Sequence, residues 1–227
     1  MTKLIRATFF VFAALAVCAV EARANSVTIG GLTDPLCATC QGSTYMLTIS
    51  DTPLLVDPFP GGLLDTYRVT LTINTSGYTG GGKYIDEVAV KVSSGVDNVK
   101  LVDAPRADGL TGGASLWSIV PGGLNADGCS GSGSGFECAD WIGAGGKTYV
   151  IPGATLTWVF DVDISGSVFD LASIDPNLLP SIKARYVDVN GNKVGALVSE
   201  KVPEPATLAL LGVGMSLAAF RRRRAQR

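Results

Sequence analysis

Asp65-Thr-Tyr-Arg-Val-Thr-Leu-Thr-Ile-Asn74 decides the fold. Tyr67, Val69, Leu71 and Ile73 fall on one side of an extended chain, and Arg68, Thr70 and Thr72 on the other. Side chains of a strand point alternately to its two faces, so this stretch reads as a strand with one dry and one wet face. The alternation recurs from Ser43 to Ser50, Ile85 to Val92, Val96 to Val102, Leu116 to Val120 and Thr148 to Ile151. It continues from Ala154 to Ile164, Ser181 to Val189 and Val194 to Ser199. Clusters of Gly, Pro, Asp and Asn separate the runs, as turn residues should. Asn190-Gly191 between the last two runs predicts a two-residue hairpin turn. About nine such strands, each with one apolar face, predict an all-β domain: an antiparallel β-sandwich, jelly-roll-like in its winding. No helical periodicity stands out in this part of the chain; Ser167 to Leu179 has room for a short turn.

The ends of the 227-residue chain are of another kind. Lys3 and Arg6 precede an apolar run from Ala7 to Val20, and Ala22-Arg23-Ala24 follows. Basic residues, an apolar stretch and a small-x-small site are the three parts of a secretory signal peptide, which predicts cleavage after Ala24. Cys18 belongs to the discarded apolar run, because Val17 before it is too large for a lipoprotein box. At the other end, Val202-Pro203-Glu204-Pro205-Ala206-Thr207 leads into an apolar stretch up to Phe220, and Arg221-Arg222-Arg223-Arg224 closes it. About 15 apolar residues make roughly 22 Å of helix, short of the ~30 Å hydrocarbon core. Arginines at its end snorkel to the headgroups and make a short span tolerable. The basic cluster predicts a cytoplasmic end, with the preceding domain on the far side of the membrane. The division is therefore signal peptide 1–24, β-domain 25–201 and tail 202–227.

Charge follows the same division. The ends hold eight of the 18 basic residues and two of the 20 acidic ones. Residues 25–202 keep 10 basic and 18 acidic groups, a net charge of −8. An acidic domain repels phosphate backbones, so nucleic acid is not an expected partner. There is no histidine. That removes His-activated nucleophiles and the common zinc sites, and leaves carboxylate-pair chemistry as the accessible catalytic class.

Removal of the signal leaves Cys37, Cys40, Cys129 and Cys138. Four cysteines in an oxidising compartment read as two disulfides, with three connectivities open. The Ser-Gly run between Cys129 and Cys138 favours closing that loop on itself, which leaves Cys37 to Cys40. The spacing of the second pair argues against a four-cysteine zinc site. Cys37-x-x-Cys40 runs into a strand rather than a helix, which argues against a thioredoxin-like redox motif.

The tail carries a specific resemblance. Val202 to Thr207, a short glycine-containing apolar helix and a terminal arginine cluster together resemble the PEP-CTERM sorting signal. The resemblance implies a Gram-negative host that makes extracellular polysaccharide. It implies export by the secretion translocon and recognition by an exosortase in the inner membrane, with cleavage near Pro203-Glu204-Pro205. Physically, the two prolines stop a helix from entering the motif and keep it extended at the interface. Three further segments are similar to a group of PEP-CTERM proteins: Cys37-x-x-Cys40-x-Gly-Ser-x-Tyr45, the strand from Asp65, and Cys129-Ser-Gly-Ser-Gly-Ser-Gly-Phe-Glu-Cys138. Ser181-Ile-Lys-Ala-Arg-Tyr is shared with the same group, which implies no particular activity.

Within the domain few residues suggest chemistry. Asp161 and Asp163 lie two apart and share a strand face, whereas Asp86 and Glu87 should face opposite ways. Asp188-x-Asn190-x-Asn192 lacks the glycine position of a calcium loop and reads as a turn. Trp158 belongs in the core, and Trp141, read as a loop residue, is the candidate for stacking on a sugar ring. The expectation is a cell-surface or matrix protein without a catalytic site, metal or cofactor, either structural or in contact with extracellular polysaccharide. The alternatives are a carbohydrate-active enzyme built on a carboxylate pair, and a calcium-dependent adhesion module.

Overall fold

A computed structural model describes residues 26–30, 37–50, 52–59, 65–125, 127–129, 135–143, 148–149, 154–165, 179–195 and 198–201. In chain order their strands are β1 (Ser26–Gly30), β2 (Thr44–Ile49), β3 (Asp65–Asn74), β4 (Tyr84–Lys91), β5 (Val96–Asp103), β6 (Trp117–Pro121) and β7 (Leu124–Asn125). They continue as β8 (Gly128–Cys129), β9 (Phe136–Trp141), β10 (Thr148–Tyr149), β11 (Thr155–Ile164), β12 (Ser181–Val187) and β13 (Val198–Lys201). Among the described residues, the helical pieces are two 3₁₀ turns, Ala38–Cys40 and Ala114–Leu116.

The strands form two main antiparallel sheets. The first runs β1-β2-β3-β11-β5 and the second β13-β12-β4-β9-β6, with β10 also paired to β4. Alternation sorts the side chains. Val69, Leu71 and Ile73 of β3 lie in register with Phe160, Trp158 and Leu156 of β11, and all are buried. Val88 and Val90 of β4 lie across from Ala184 and Ile182 of β12, again buried. These two inner faces belong to one hydrophobic cluster, which makes the domain a sandwich. Contacts cross the interface at both sides. The hydroxyls of Tyr45 and Tyr186 are hydrogen-bonded, and Trp117 meets Trp158 edge to face at 5.4 Å. Each large side chain buried here stabilises the fold by about 1.5–3 kcal/mol.

The β3 prediction matches its observed bounds, and most other predicted strands lie within two residues of theirs. The jelly-roll winding needs correction. A jelly roll interleaves two Greek keys, whereas here β1, β2 and β3 follow one another side by side as a meander. The last strand begins at Val198 rather than Val194: Val194 N–H still donates to the Tyr186 carbonyl, but the pairing shifts register between Val187 with Lys193 and Ala184 with Val198. Gly191 does take positive φ, at 84°. Asp188 N–H, however, donates to the Asn192 carbonyl, and Val187 bridges Lys193, so three residues form the loop. A type I turn closed by a left-handed glycine is the usual three-residue solution. The Ser167 to Leu179 stretch lies almost wholly outside the described residues.

Candidate functional site

The chain leaves the sandwich along β13. Val198, Ser199, Glu200 and Lys201 pair with Ala184, Lys183, Ile182 and Ser181 of β12, at the edge of the second sheet. Val198 is fully buried. Val202 follows Lys201 directly, so no linker separates the sheet from the tail. The tail residues singled out above, Val202 to Thr207 and Arg221 to Arg224, lie outside the described residues, as does the predicted signal peptide. Among the described residues no helix is long and apolar enough to cross a membrane.

A charged cluster sits on the outer face of the second sheet. Its origin is a register shift: Arg185 pairs with Glu87 and Tyr186 with Ile85, which leaves Asp86 as an extra residue in β4. The bulge corrects the expectation that Asp86 and Glu87 face opposite ways. Both reach one guanidinium. Arg185 Nε and Nη2 donate to the two Asp86 oxygens at 3.1 and 2.7 Å, and Arg185 Nη1 stands 3.3 Å from Glu87 Oε2. That last contact is an ion pair without hydrogen-bond alignment, since Glu87 Oε2 has no hydrogen-bond partner. Burial pushes Glu87 up to about 7 despite Arg185, with Asp86 and Asp140 adding to the rise. Asp86 already takes two of the guanidinium's donors.

The short β7–β8 hairpin covers this cluster. Leu124 packs with Ala89 and Cys138, and Lys183 Nζ donates to the Leu124 carbonyl at 3.0 Å while lying 4.5 Å from the Phe136 ring centre. The Cys129 N–H is hydrogen-bonded to Glu87. Gly128 has φ 126°, and a Cβ there would stand 2.7 Å from Glu87 Oε1, so only glycine fits over the carboxylate. A Cys129–Cys138 disulfide, with Cα atoms 5.9 Å apart, ties the hairpin to β9. The second disulfide joins Cys37 and Cys40 across the first 3₁₀ turn. Both pairs are those that the spacing favoured.

Replacing Cys129 and Cys138 together with serine is expected to lower stability by about 2–3 kcal/mol, the value for a loop of this length. Urea unfolding of the oxidised protein and the variant measures the difference. Equal midpoints would mean that the hairpin is held by Glu87 and Leu124 alone.

The other residues singled out by sequence are dispersed. Asp161 and Asp163 do share a face, on the outside of the first sheet. Arg68 holds Asp161 with two hydrogen bonds, at 2.9 and 3.1 Å, and Asn98 donates to Asp163 at 3.2 Å. Trp141 closes β9 instead of lying in a loop. Its indole N–H donates to the Gly143 carbonyl, and its ring meets Trp117 edge to face at 5.3 Å. Asp188 accepts the N–H groups of Asn190 and Asn192, which hold its carboxyl below the usual range and fix the turn. Among the described residues no group of three or more His, Cys, Asp or Glu side chains is placed to hold a metal ion. Sequence reading missed Arg185 and Glu137, and the available signal was Asp86-Glu87 interrupting an apolar strand.

The tail is where comparison with known proteins speaks. A family model described as the PEP-CTERM protein-sorting motif matches residues 201–224. The chain carries a PEP-CTERM sorting motif. The match begins on Lys201, the last residue of β13, so the PEP-CTERM signal adjoins the folded sheet. The PEP-CTERM motif is recognised by exosortase and marks a protein for export and sorting toward the cell surface. Comparison with curated proteins finds no match.

Proposed function

We propose that this protein is a non-enzymatic component of the cell surface or extracellular matrix, structural or in contact with extracellular polysaccharide. In this reading an exosortase removes its tail near Pro203-Glu204-Pro205. The single observation that carries it is the PEP-CTERM motif joined without a linker to a disulfide-stapled β-domain. The domain's net charge of −8 and lack of histidine agree with an exposed extracellular role. Its interior and half-buried carboxylates also support it: Asp86, Glu87 and Asp161 are engaged by arginines. Trp141 is half-buried at the end of β9, packed on its inner side against the core, and its exposed part is our candidate contact for a sugar ring.

Intact-mass spectrometry of the protein recovered from host envelope and medium tests the sorting half of this reading. The expected mass starts at Asn25, ends between Pro203 and Thr207, and is four hydrogens light for two disulfides. A mass retaining Arg221 to Arg224 would make the tail a permanent anchor and overturn the reading.

A further inference from the structure

Asp163 is only 1% exposed, although it lies on the outer face of the first sheet. Its Oδ2 accepts from Asn98 Nδ2 at 3.2 Å, whereas its Oδ1 is buried and receives no hydrogen bond from any described residue. An ionised carboxyl taken out of water without a countercharge is costly, and a buried oxygen without a partner calls for an ion or a water. The cations of this face serve the neighbouring acid. Arg68 holds both oxygens of Asp161, and Lys100 stands across from Asp161 in register. Among the described residues no lysine or arginine is ion-paired with Asp163.

The chain between β2 and β3 brings a second acid to the same place. The N–H groups of Ser50 and Leu54 donate to the Arg68 and Thr66 carbonyls at 2.9 and 2.7 Å, so the chain stays beside β3 after β2 has ended. Asp57 then turns toward Thr66. Its Oδ1 accepts the Phe59 N–H at 2.7 Å and the Thr66 hydroxyl at 3.4 Å. Thr66 is 3% exposed and lies directly opposite Asp163. The two side chains therefore share the outer face, with Cβ atoms about 4.5–5.5 Å apart. Asp57 approaches the Thr66 hydroxyl from the β2 side and Asp163 from the β11 side. Both of these Asp57 hydrogen bonds use Oδ1, which leaves Oδ2 for a ligand.

The atoms gathered here are hard oxygens, the ligand class of calcium, whose coordination is flexible enough to be completed by water. We propose that Asp163 Oδ1, Asp57 Oδ2 and Thr66 Oγ1 form a calcium site that ties the β2–β3 loop to β11. Only two of these ligands are acids, in keeping with the absence of any three-acid cluster among the described residues. A site with so few charges belongs to the weak class of extracellular modules, with a dissociation constant of about 10⁻⁴–10⁻³ M. The site does not depend on how the tail is processed.

The test uses protein recovered from the host with both disulfides intact, stripped with EDTA, dialysed and titrated with calcium chloride. Calorimetry should show one saturable site, and about 10 mM calcium should raise the melting temperature by about 3 °C or more. Asp163→Asn and Asp57→Asn should each weaken binding at least tenfold. Asp127→Asn removes the same charge from the exposed tip of the β7–β8 hairpin and should leave binding unchanged. Asp57 is exposed, so its variant carries the test even where Asp163→Asn fails to fold. A melting temperature that calcium does not move, with no saturable heat, would overturn the proposal. Binding of parental strength in the Asp57→Asn variant would overturn it too, because calcium would then be held by the diffuse charge of the acidic domain.

Discussion

Arg185→Ala is expected to lower the unfolding free energy by about 3–5 kcal/mol, the usual loss when one partner of a buried ion pair is removed. The reason lies in what stays behind. The Arg185, Asp86 and Glu87 side chains are only 12%, 5% and 7% exposed. Without the guanidinium, two adjacent carboxyls remain under the β7–β8 hairpin, with Asp140 in register across from Glu87. Arg185→Lys should fall in between, because one ammonium cannot reproduce the two parallel bonds to Asp86. Arg68→Ala should cost less, about 1 kcal/mol, since the Arg68 side chain is 45% exposed and Lys100 lies across from Asp161 on its other side. The sharpest comparison is Arg185→Met combined with Asp86→Asn and Glu87→Gln. Removing these three charges together should be milder than removing the arginine alone, because neither Asp86 nor Glu87 is then left as a buried carboxyl without its guanidinium. Urea denaturation of the oxidised protein at pH 7 ranks the four variants. A loss below about 1 kcal/mol for Arg185→Ala would show that water reaches the cluster and screens it.

The same cluster marks where sequence reading stopped. Period-two alternation made β3 and β11 plain, because their inner residues are apolar and their outer ones, Val159 apart, polar. It failed at β9, Phe-Glu-Cys-Ala-Asp-Trp, where the inward set is Glu137, Ala139 and Trp141 and the outward set includes Cys138. An acid on the dry side and a cysteine on the wet side invert the pattern. Neither inversion is local: Cys138 faces outward to meet Cys129, and the hairpin that brings Cys129 there covers the outer face. Asp86 and Glu87 were assigned to opposite faces by alternation, which assumes an unbroken ladder. A one-residue bulge reverses that assignment, and no residue in β4 announces it. The cysteine pairing was legible because the Ser-Gly run between Cys129 and Cys138 lets that loop close on itself, which leaves Cys37 to Cys40. The sorting motif was legible because its three parts are contiguous and need no tertiary contact to be read.

Glu137 is expected to make the domain's stability fall as pH rises. It lies in register with Val90 on one side and Pro121 on the other, and is 8% exposed. Val90 belongs to the core, and residues directly opposite share a face, so the carboxyl enters the margin of the apolar interior. Burial pushes it from its ordinary value of 4.5 up to about 7. Between those values the folded protein keeps a proton that the unfolded chain releases. The folded state then binds more protons, and stability declines with rising pH. The contribution is intact below about 4.5, is lost progressively through about 7, and is flat beyond. A displacement of this size corresponds to about 3 kcal/mol. Glu87 shifts in the same direction and should add to the decline, so one substitution will not abolish it. Glu137→Gln keeps the shape and removes the titration. Unfolding free energies at pH 5 and pH 8 should differ less in this variant than in the parent, by about 2–3 kcal/mol, with the gain appearing at pH 8. Equal pH dependence in the two proteins would mean that Glu137 ionises in the folded state as readily as in water, and that this end of β9 is open to solvent.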